Sequence, residues 1–596
     1  MTRPGRPGTT ASIVFGGAVA FVVGERLIGA IRPSLILLDP DPAWAMVRYL
    51  LWIGIIVLTS AAGVLGAALL LLWMRSRFTP SELARLPLSR RTTVLLCSLA
   101  LLAGILLRLA WIETFPIPFL EDEINLIEPS LALTGHWRDF ADSIRPMPYG
   151  VAHPHEMIGV LYLRLFRASL EFFGATILGV RFLSFVGGVL SLATGTLLGR
   201  VLLPRGGAAL TALVLAGLRW HLILSRFGWH SILLIPLIDL ATVLLVVARR
   251  RRRAGLAALA GAVAGVGAHF YLAAWIAFAA LLGFCLWPQD SKDPIRSRTL
   301  LLALCAAGFL AVAAPLFLFR EGRTHGYFGR AARHSVLAEI RYTRSLFPPF
   351  AVAADALVAP WLLPDPEAWH DLPGRSRLGW ILGVPVAAAF ARALVRPREE
   401  LSGLLLLHGG VALAAAVAAG QAGHPNGFRF GYLTSLTAVA AAAGCLQLVR
   451  LAPSVNRRAA AVGAIGLLAV SGASGARDAL LRWPDNRATF DSFHGEDTIV
   501  GRAAARWEQY GIVRVVPGLG RSDSTIDTVR RYQLDPDPGR PGVGRPEVVP
   551  GARTTRLFRI VSPGALPRKG ERVVERIRDG WGREWAVVIG GIRPPA

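Results

Sequence analysis

Residues 91–123 read RTTVLLCSLALLAGILLRLAWIETFPIPFLEDE, and this stretch decides what kind of molecule the chain forms. Residues 91 to 113 make an apolar run of membrane length, since about 20 such residues in a helix cross roughly 30 Å of hydrocarbon. The acidic triplet Glu121-Asp122-Glu123 follows and opens a polar loop of more than sixty residues before the next run long enough to span. Carboxylates are costly beside hydrocarbon, so three together at a membrane edge point to a site rather than to packing.

Working outward, the same alternation of apolar run and polar loop repeats along all 596 residues, 53% of them hydrophobic, with a mean hydropathy of +0.49. The pattern is that of an all-α polytopic membrane protein. A net charge of +25 would ordinarily raise nucleic acid as a partner. Here the basic residues sit in short clusters between apolar runs, which is how cytoplasmic loops are marked. Cys97, Cys285, Cys305 and Cys445 all fall inside apolar runs without paired spacing, which predicts buried small hydrophobes rather than a metal or disulfide framework.

Thirteen candidate spans lie at about 12-38, 44-74, 91-113, 180-202, 207-221, 229-249, 254-268, 270-287, 299-319, 378-395, 401-420, 429-449 and 458-475. The first is too long for the apolar part of a signal peptide and lacks a small-residue cleavage site, so it reads as a retained span. With the N-terminus inside, alternation places Arg75 to Arg91, Arg200 with Arg205, Arg249 to Arg253, Lys292 to Arg298, Arg396 with Arg398, and Arg450 with Arg457 on the cytoplasmic side. The long loops 114-179 and 320-377, the turn 421-428 and the C-terminus then share the outer face. Segment 156–173 is apolar enough to resemble a span but carries Arg164, Arg167 and Glu171, and it reads as an amphipathic helix in the outer interface.

Residues 477–596 change in composition. Helix-like stretches at 499–510 and 524–533 and strand-like stretches at 512–516, 557–561 and 585–589 predict a small extracytoplasmic α/β domain. The expected organisation is therefore 1-90, two helices and a cytoplasmic linker; 91-476, a membrane core; and 477-596, a soluble domain.

Four outer-face constellations carry chemistry. In FLEDEINLIEPSLALTG (119–135), an adjacent Asp-Glu pair offers a general base, with a second carboxylate to tune it or to help hold a divalent cation. The alternative is an acidic helix cap, and a capping carboxylate can also be catalytic. His153-Pro154-His155-Glu156 combines two histidines and a carboxylate, metal ligands by type, but with Pro between them and no second cluster they read as interfacial polar residues. In RWHLILSRFGWH (219–230), Arg226 and His230 are either headgroup anchors or contacts to a lipid phosphate. In GHPNGFRFGY (423–432), Arg429 poses the same choice. No Walker A, nucleophile elbow or HExxH pair occurs.

The order of these features resembles bacterial members of the GT-C glycosyltransferase superfamily, those related to protein O-mannosyltransferases and to the lipid A aminoarabinose transferase. In that family the loop after the first core span opens with an Asp-Glu motif, matched here by Asp122-Glu123. HDLPGRSRLGW (370–380) looks like its Leu-Pro-Gly-Arg segment, and SRFGWHSILLIPLIDL (225–240) its Ser-Arg segment. GVGAHFYLAAW (265–275) looks like its Gly-rich turn with an aromatic, and GVRFLSFVGGVLSL (179–192) its Arg-Leu-Pro-Ser segment, with Phe182 and Phe185 as departures. The resemblance covers about residues 91 to 475; the two spans ahead of it have no counterpart.

The resemblance implies a transferase in the bacterial cytoplasmic membrane, working at the outer face with a polyprenyl-phosphate-linked sugar as donor. The acceptor would be a glycolipid, a protein or a cell-wall glycan. Asp122 would be the base, Glu123 its orienting neighbour, and Arg181, Arg226 and Arg429, with His230 and His155, the substrate-binding groups. A transporter or lipid flippase is the alternative from another class, favoured by ionisable residues at mid-membrane, in which the spans look poor. A non-catalytic assembly protein is a third.

Overall fold

The computed structural model describes residues 83–113 (84 and 87 apart), 123, 125–133, 146–149, 153–288, 295–318, 347–361 (359 apart), 365, 367–419, 427, 429–452, 456–508, 510–517, 519, 523–531, 556–569 and 571–592, with single positions 336, 340, 341 and 344. The expected spans 12-38 and 44-74 lie outside these residues, as do Glu121 and Asp122 and about half of the loop 320-377.

Each apolar run expected from residue 91 onward falls on a helix. Among the described residues, seven helices are long and apolar enough to cross a membrane: Arg90–Leu109, Ile177–Leu202, His230–Arg251, Ile295–Ala313, Glu400–Ala418, Gly431–Leu451 and Arg457–Arg482. Four more, Gly207–Gly217, Ala254–Ala268, Ala274–Leu286 and Gly379–Val395, are apolar but shorter. We number those used below α1 (Arg90–Leu109), α2 (Ile127–Leu131), α3 (Val160–Phe173), α4 (Ile177–Leu202), α5 (Gly207–Gly217), α6 (Arg219–Leu224), α7 (Leu234–Arg251), α8 (Ala254–Ala268), α9 (Ala274–Leu286), α10 (Ile295–Ala313), α11 (Gly379–Val395), α12 (Glu400–Ala418), α13 (Thr434–Leu451) and α14 (Arg457–Arg477).

Burial sorts them. α7 and α13 are mostly covered by protein, whereas α1, α10 and α14 bury only a narrow stripe. The outward Val94, Leu95, Leu99, Leu102 and Leu106 of α1 are exposed, as expected of a helix against lipid tails. Cys97 lies on this helix and is half-exposed, which corrects the expectation of burial; Cys285, Cys305 and Cys445 are buried. The α8–α10 contact shows how close the packing is. A Cβ on Gly261 would stand 1.9 Å from the Cys305 carbonyl oxygen, and one on Gly308 2.0 Å from that of Ala258. Only glycines permit this crossing, the small-residue contact that brings membrane helices together where no hydrophobic effect does.

On the loop side, α3 has 14 residues, about 21 Å at 1.5 Å per residue, too short to span. One face of it, Val160, Leu163, Phe166 and Leu170, is buried. The segment ahead of it is not helical, as 156–159 was expected to be. His153–Gly159 (β2) pairs antiparallel with Pro146–Tyr149 (β1); Pro146, Pro148 and Pro154 favour extended backbone over helix here.

The C-terminal domain holds a four-stranded sheet in the order β3-β4-β6-β5, made of Ile512–Val515, Arg556–Val561, Glu571–Arg578 (β5) and Glu584–Ile592 (β6). β3 and β4 run parallel and the other pairs antiparallel. Helices α15 (Gly495–Glu508) and α16 (Asp523–Arg531) cover the face built from Val513, Phe558, Ile560, Ile577 and Val588. Strand β5, ERVVERIR, was not expected. Arg572, Arg576 and Arg578 are exposed at the sheet edge and Glu571 and Glu575 are paired with Arg559 and Arg506, so the strand shows little apolar signal. Between membrane and domain, α14 runs on beyond Arg477 into a π-helical turn, Asp478–Arg482.

Candidate functional site

The C-terminal end of α1 anchors the site. A helix leaves its last carbonyls without partners, and at this end Trp111 takes a left-handed backbone, φ 53°. Two guanidiniums from elsewhere satisfy the freed oxygens. Arg226 Nη1 donates to Leu107 O at 3.2 Å and its Nη2 to Trp111 O at 3.1 Å, while Arg181 Nη1 donates to Ile112 O at 3.2 Å.

Glu123 meets this arrangement from the loop. It is fully buried, and its Oε1 accepts from Arg181 Nε at 3.3 Å and from the Gly228 amide at 2.6 Å. A side chain at 228 is excluded, because a Cβ would come within 2.8 Å of Val180 O and 3.4 Å of Glu123 Oε1. The Ser-Arg segment and the α4 segment are thus joined through one carboxylate. Below them Arg108 donates from Nη2 to Leu215 O at 3.0 Å and lies 2.7 Å from His221 Nδ1, whose Nε2 is 2.5 Å from Ser191 Oγ. Among the described residues, three buried guanidiniums, Arg108, Arg181 and Arg226, and one buried carboxylate, Glu123, thus gather at this end of α1.

An aromatic wall stands beside Glu123. Tyr162 of α3 is buried and its hydroxyl has no hydrogen-bond partner among the described residues; burial, and then the nearby Glu123 charge, push its phenol up. Its ring lies 5.4 Å from His230, which stacks on Trp229 at 4.8 Å and meets Tyr271 edge-on at 5.3 Å. Trp229 in turn faces Trp369 at 5.8 Å. The sequence pointed to His230 alone among these rings, as an anchor or phosphate contact; only their spacing in three dimensions marks a cluster.

The Leu-Pro-Gly-Arg loop is fastened next to this wall. Arg219 grips Asp371 with two bonds, Nε to Oδ1 at 2.5 Å and Nη2 to Oδ2 at 3.1 Å, and reaches Asp478 Oδ2 at 3.4 Å. Asp478 also holds Arg375 at 3.2 Å and Arg482 at 3.2 Å, which places the π turn at the crossing of α6, the loop and the C-terminal domain. Burial works against the Asp365 carboxylate, but paired Arg377 and His370, the latter 3.0 Å away, hold it well below the usual range.

Of the expected site residues, Glu123, Arg181 and Arg226 come together, and His230 joins them through Tyr162. Arg429 is elsewhere, donating to Ala419 O at 3.2 Å at the end of α12. Asp122 and the side chain of His155 lie outside the described residues. Among the described residues no three His, Cys, Asp or Glu side chains group as metal ligands. Asp239 was missed: it is buried inside α7, accepting from Thr194 Oγ1 at 3.0 Å, so the spans are less poor in acids than their runs suggest.

No family model matches the chain, and no curated protein matches it. Among solved structures it is similar to ArnT from Cupriavidus metallidurans bound to undecaprenyl phosphate, at 14% identity and a TM-score of 0.48, over 85% of this chain and 100% of that one. It is also similar to the archaeal oligosaccharyltransferase AglB from Archaeoglobus fulgidus, in complex with an inhibitory peptide and a dolichol-phosphate. There the identity is 16% and the TM-score 0.43, over 77% of this chain and 61% of that one. Both are GT-C glycosyltransferases.

Chemically, the site offers a buried carboxylate, buried guanidiniums, a phenol without a hydrogen-bond partner among the described residues, and a wall of aromatic faces. The chemistry therefore rests on the residues themselves.

Proposed function

We propose that the chain is an integral membrane glycosyltransferase that moves a sugar from a polyprenyl-phosphate carrier to an acceptor hydroxyl at the outer face. The observation that carries this reading is Glu123, a carboxylate with 0% exposure held by Arg181 Nε and the Gly228 amide. A charge so fixed locks the loop beside it, and its neighbour Asp122 is the residue to which the motif resemblance gives the base.

In the reaction, the acceptor oxygen attacks the anomeric carbon and its proton passes to Asp122 as the new C–O bond forms. The bond from that carbon to the phosphate oxygen breaks, and its electron pair leaves with the polyprenyl phosphate. Arg181 and Arg226 spend donors on backbone carbonyls, so their part is to maintain a positive potential for the leaving group. Arg429, held at the end of α12 by Ala419 O, stands apart from these residues and takes no part in this step. His230 and the Tyr162 hydroxyl are set to contact the sugar.

The test supplies purified protein with a panel of polyprenyl-phosphate sugars and follows loss of the lipid-linked sugar, in wild type and in Asp122→Asn. The proposal expects turnover in the first and at least a roughly hundred-fold drop in the second, the span of general-base effects. Equal turnover, or none in either across the panel, sinks it.

One observation favours transport instead: Asp239, an ionisable group about 15 Å along the helical path from His230, near half the hydrocarbon depth. On that reading Asp239→Asn abolishes movement of a lipid-linked substrate across vesicles while Asp122→Asn does not.

A further inference from the structure

The molecule carries a second charged site at its opposite membrane edge. On α4, Arg181 at the Glu123 site and Arg200 are 19 residues apart, about 28 Å along the axis and hence one hydrocarbon thickness. There the ends of α4 and α7 flank an open cavity of about 540 Å³ lined by Arg200, Val201, Leu203, Val247, Arg250 and Arg251.

The neighbouring arginines are not alike. Arg249 turns inward, donating to Phe284 O at 2.5 Å and Trp287 O at 2.9 Å, and so fastens α7 to α9. Arg250 bridges the two helices of the cavity through Val201 O at 2.9 Å and pairs through Nε with Glu400 Oε2, also at 2.9 Å. Arg200 and Arg251 are exposed and make no hydrogen bond or ion pair among the described residues. Three guanidiniums thus meet one carboxylate, over a floor of Val201, Leu203 and Val247.

We propose that this cavity binds the headgroup of an anionic phospholipid, with the phosphate between Arg200 and Arg251 and the glycerol and upper acyl carbons on the apolar floor. Charge and apolarity both favour a lipid over a free anion. A soluble phosphate would not use the valine and leucine surface, and the site opens at the depth where headgroups lie. Loops rich in arginine mark sidedness without any cavity, but here two guanidiniums without partners among the described residues line one open cavity with an apolar floor. The site is independent of the sugar-transfer reading.

The experiment titrates phosphatidylglycerol or phosphatidylcholine into the delipidated full chain in neutral detergent and counts retained lipid by native mass spectrometry. Wild type is expected to retain phosphatidylglycerol in preference, and Arg200→Gln/Arg251→Gln to weaken that preference at least about ten-fold. Arg252→Gln/Arg253→Gln, which removes equal charge outside the cavity, should leave it intact. Val247→Phe, which fills the floor without touching charge, should also weaken it, so the proposal stays testable if the double variant folds poorly. No preference in wild type, equal loss in both double variants, or displacement of the lipid by inorganic phosphate would overturn the assignment.

Discussion

At the scale of single residues, Glu123 shows how a short acidic motif divides its labour. Its neighbour Asp122 is assigned chemistry by the proposal, whereas Glu123 is buried and serves two donors. Removing one member of a buried ion pair costs more than the pair contributes, because the other charge is left without compensation. Glu123→Gln should therefore destabilise the protein by about 3–5 kcal/mol, seen as a lower unfolding temperature in detergent. Glu123→Gln/Arg181→Met, which removes both charges, should recover much of that loss. If the double variant is no more stable than the single one, Arg181 is not the residue that needs the charge. The sequence could show the acids and their membrane edge, since both are local. It could not separate a first-turn cap from a buried anchor, because the residues that decide, Arg181 and Gly228, are 58 and 105 positions away.

At the scale of elements, legibility followed the range of the signal. Spans are written in local hydropathy, and every expected run from residue 91 onward lies on a helix. Strand β5 and the π turn at Asp478–Arg482 were not legible, because one is a solvated edge and the other depends on partners from two distant segments. The loop around 370–380 is stabilised in the same non-local way and gives a pH test. Arg377 and His370 hold Asp365 below its ordinary value, about 3.9 for an aspartate. Asp365 thus binds fewer protons folded than unfolded. Its contribution is complete above the ordinary value and is lost as the pH falls through the folded one. Arg377→Met should be several kcal/mol less stable than wild type near neutrality, roughly 3–5, with the difference shrinking once the pH drops below about 4. Tryptophan fluorescence during acid unfolding reads this directly, and a gap that stays constant down to the acid limit would show that Asp365 is not its source.

For the whole molecule, the question is what ties the C-terminal domain to the membrane core. Two kinds of contact are present. Arg531 of α16 pairs with Glu128 of α2 across 403 positions, but both side chains are largely exposed. Trp483 and Phe493 are fully buried; Trp483 donates from Nε1 to Ala368 O at 2.8 Å and meets Phe493 at 5.6 Å, which meets Phe227 of the Ser-Arg segment at 5.9 Å. Exposed ion pairs contribute about 0–1 kcal/mol, whereas truncating a buried Trp or Phe costs about 3–5. The aromatic hinge should therefore carry the docking. Arg531→Ala is expected to leave the unfolding temperature and the protease resistance of the 484–494 connection unchanged within error. Phe493→Ala should expose that connection to cleavage and, because Phe493 packs on Phe227 two residues from His230's neighbour Trp229, lower sugar-transfer turnover as well. Should Arg531→Ala open the connection while Phe493→Ala leaves it closed, docking would be electrostatic, and the domain would be free to part from the core as salt rises.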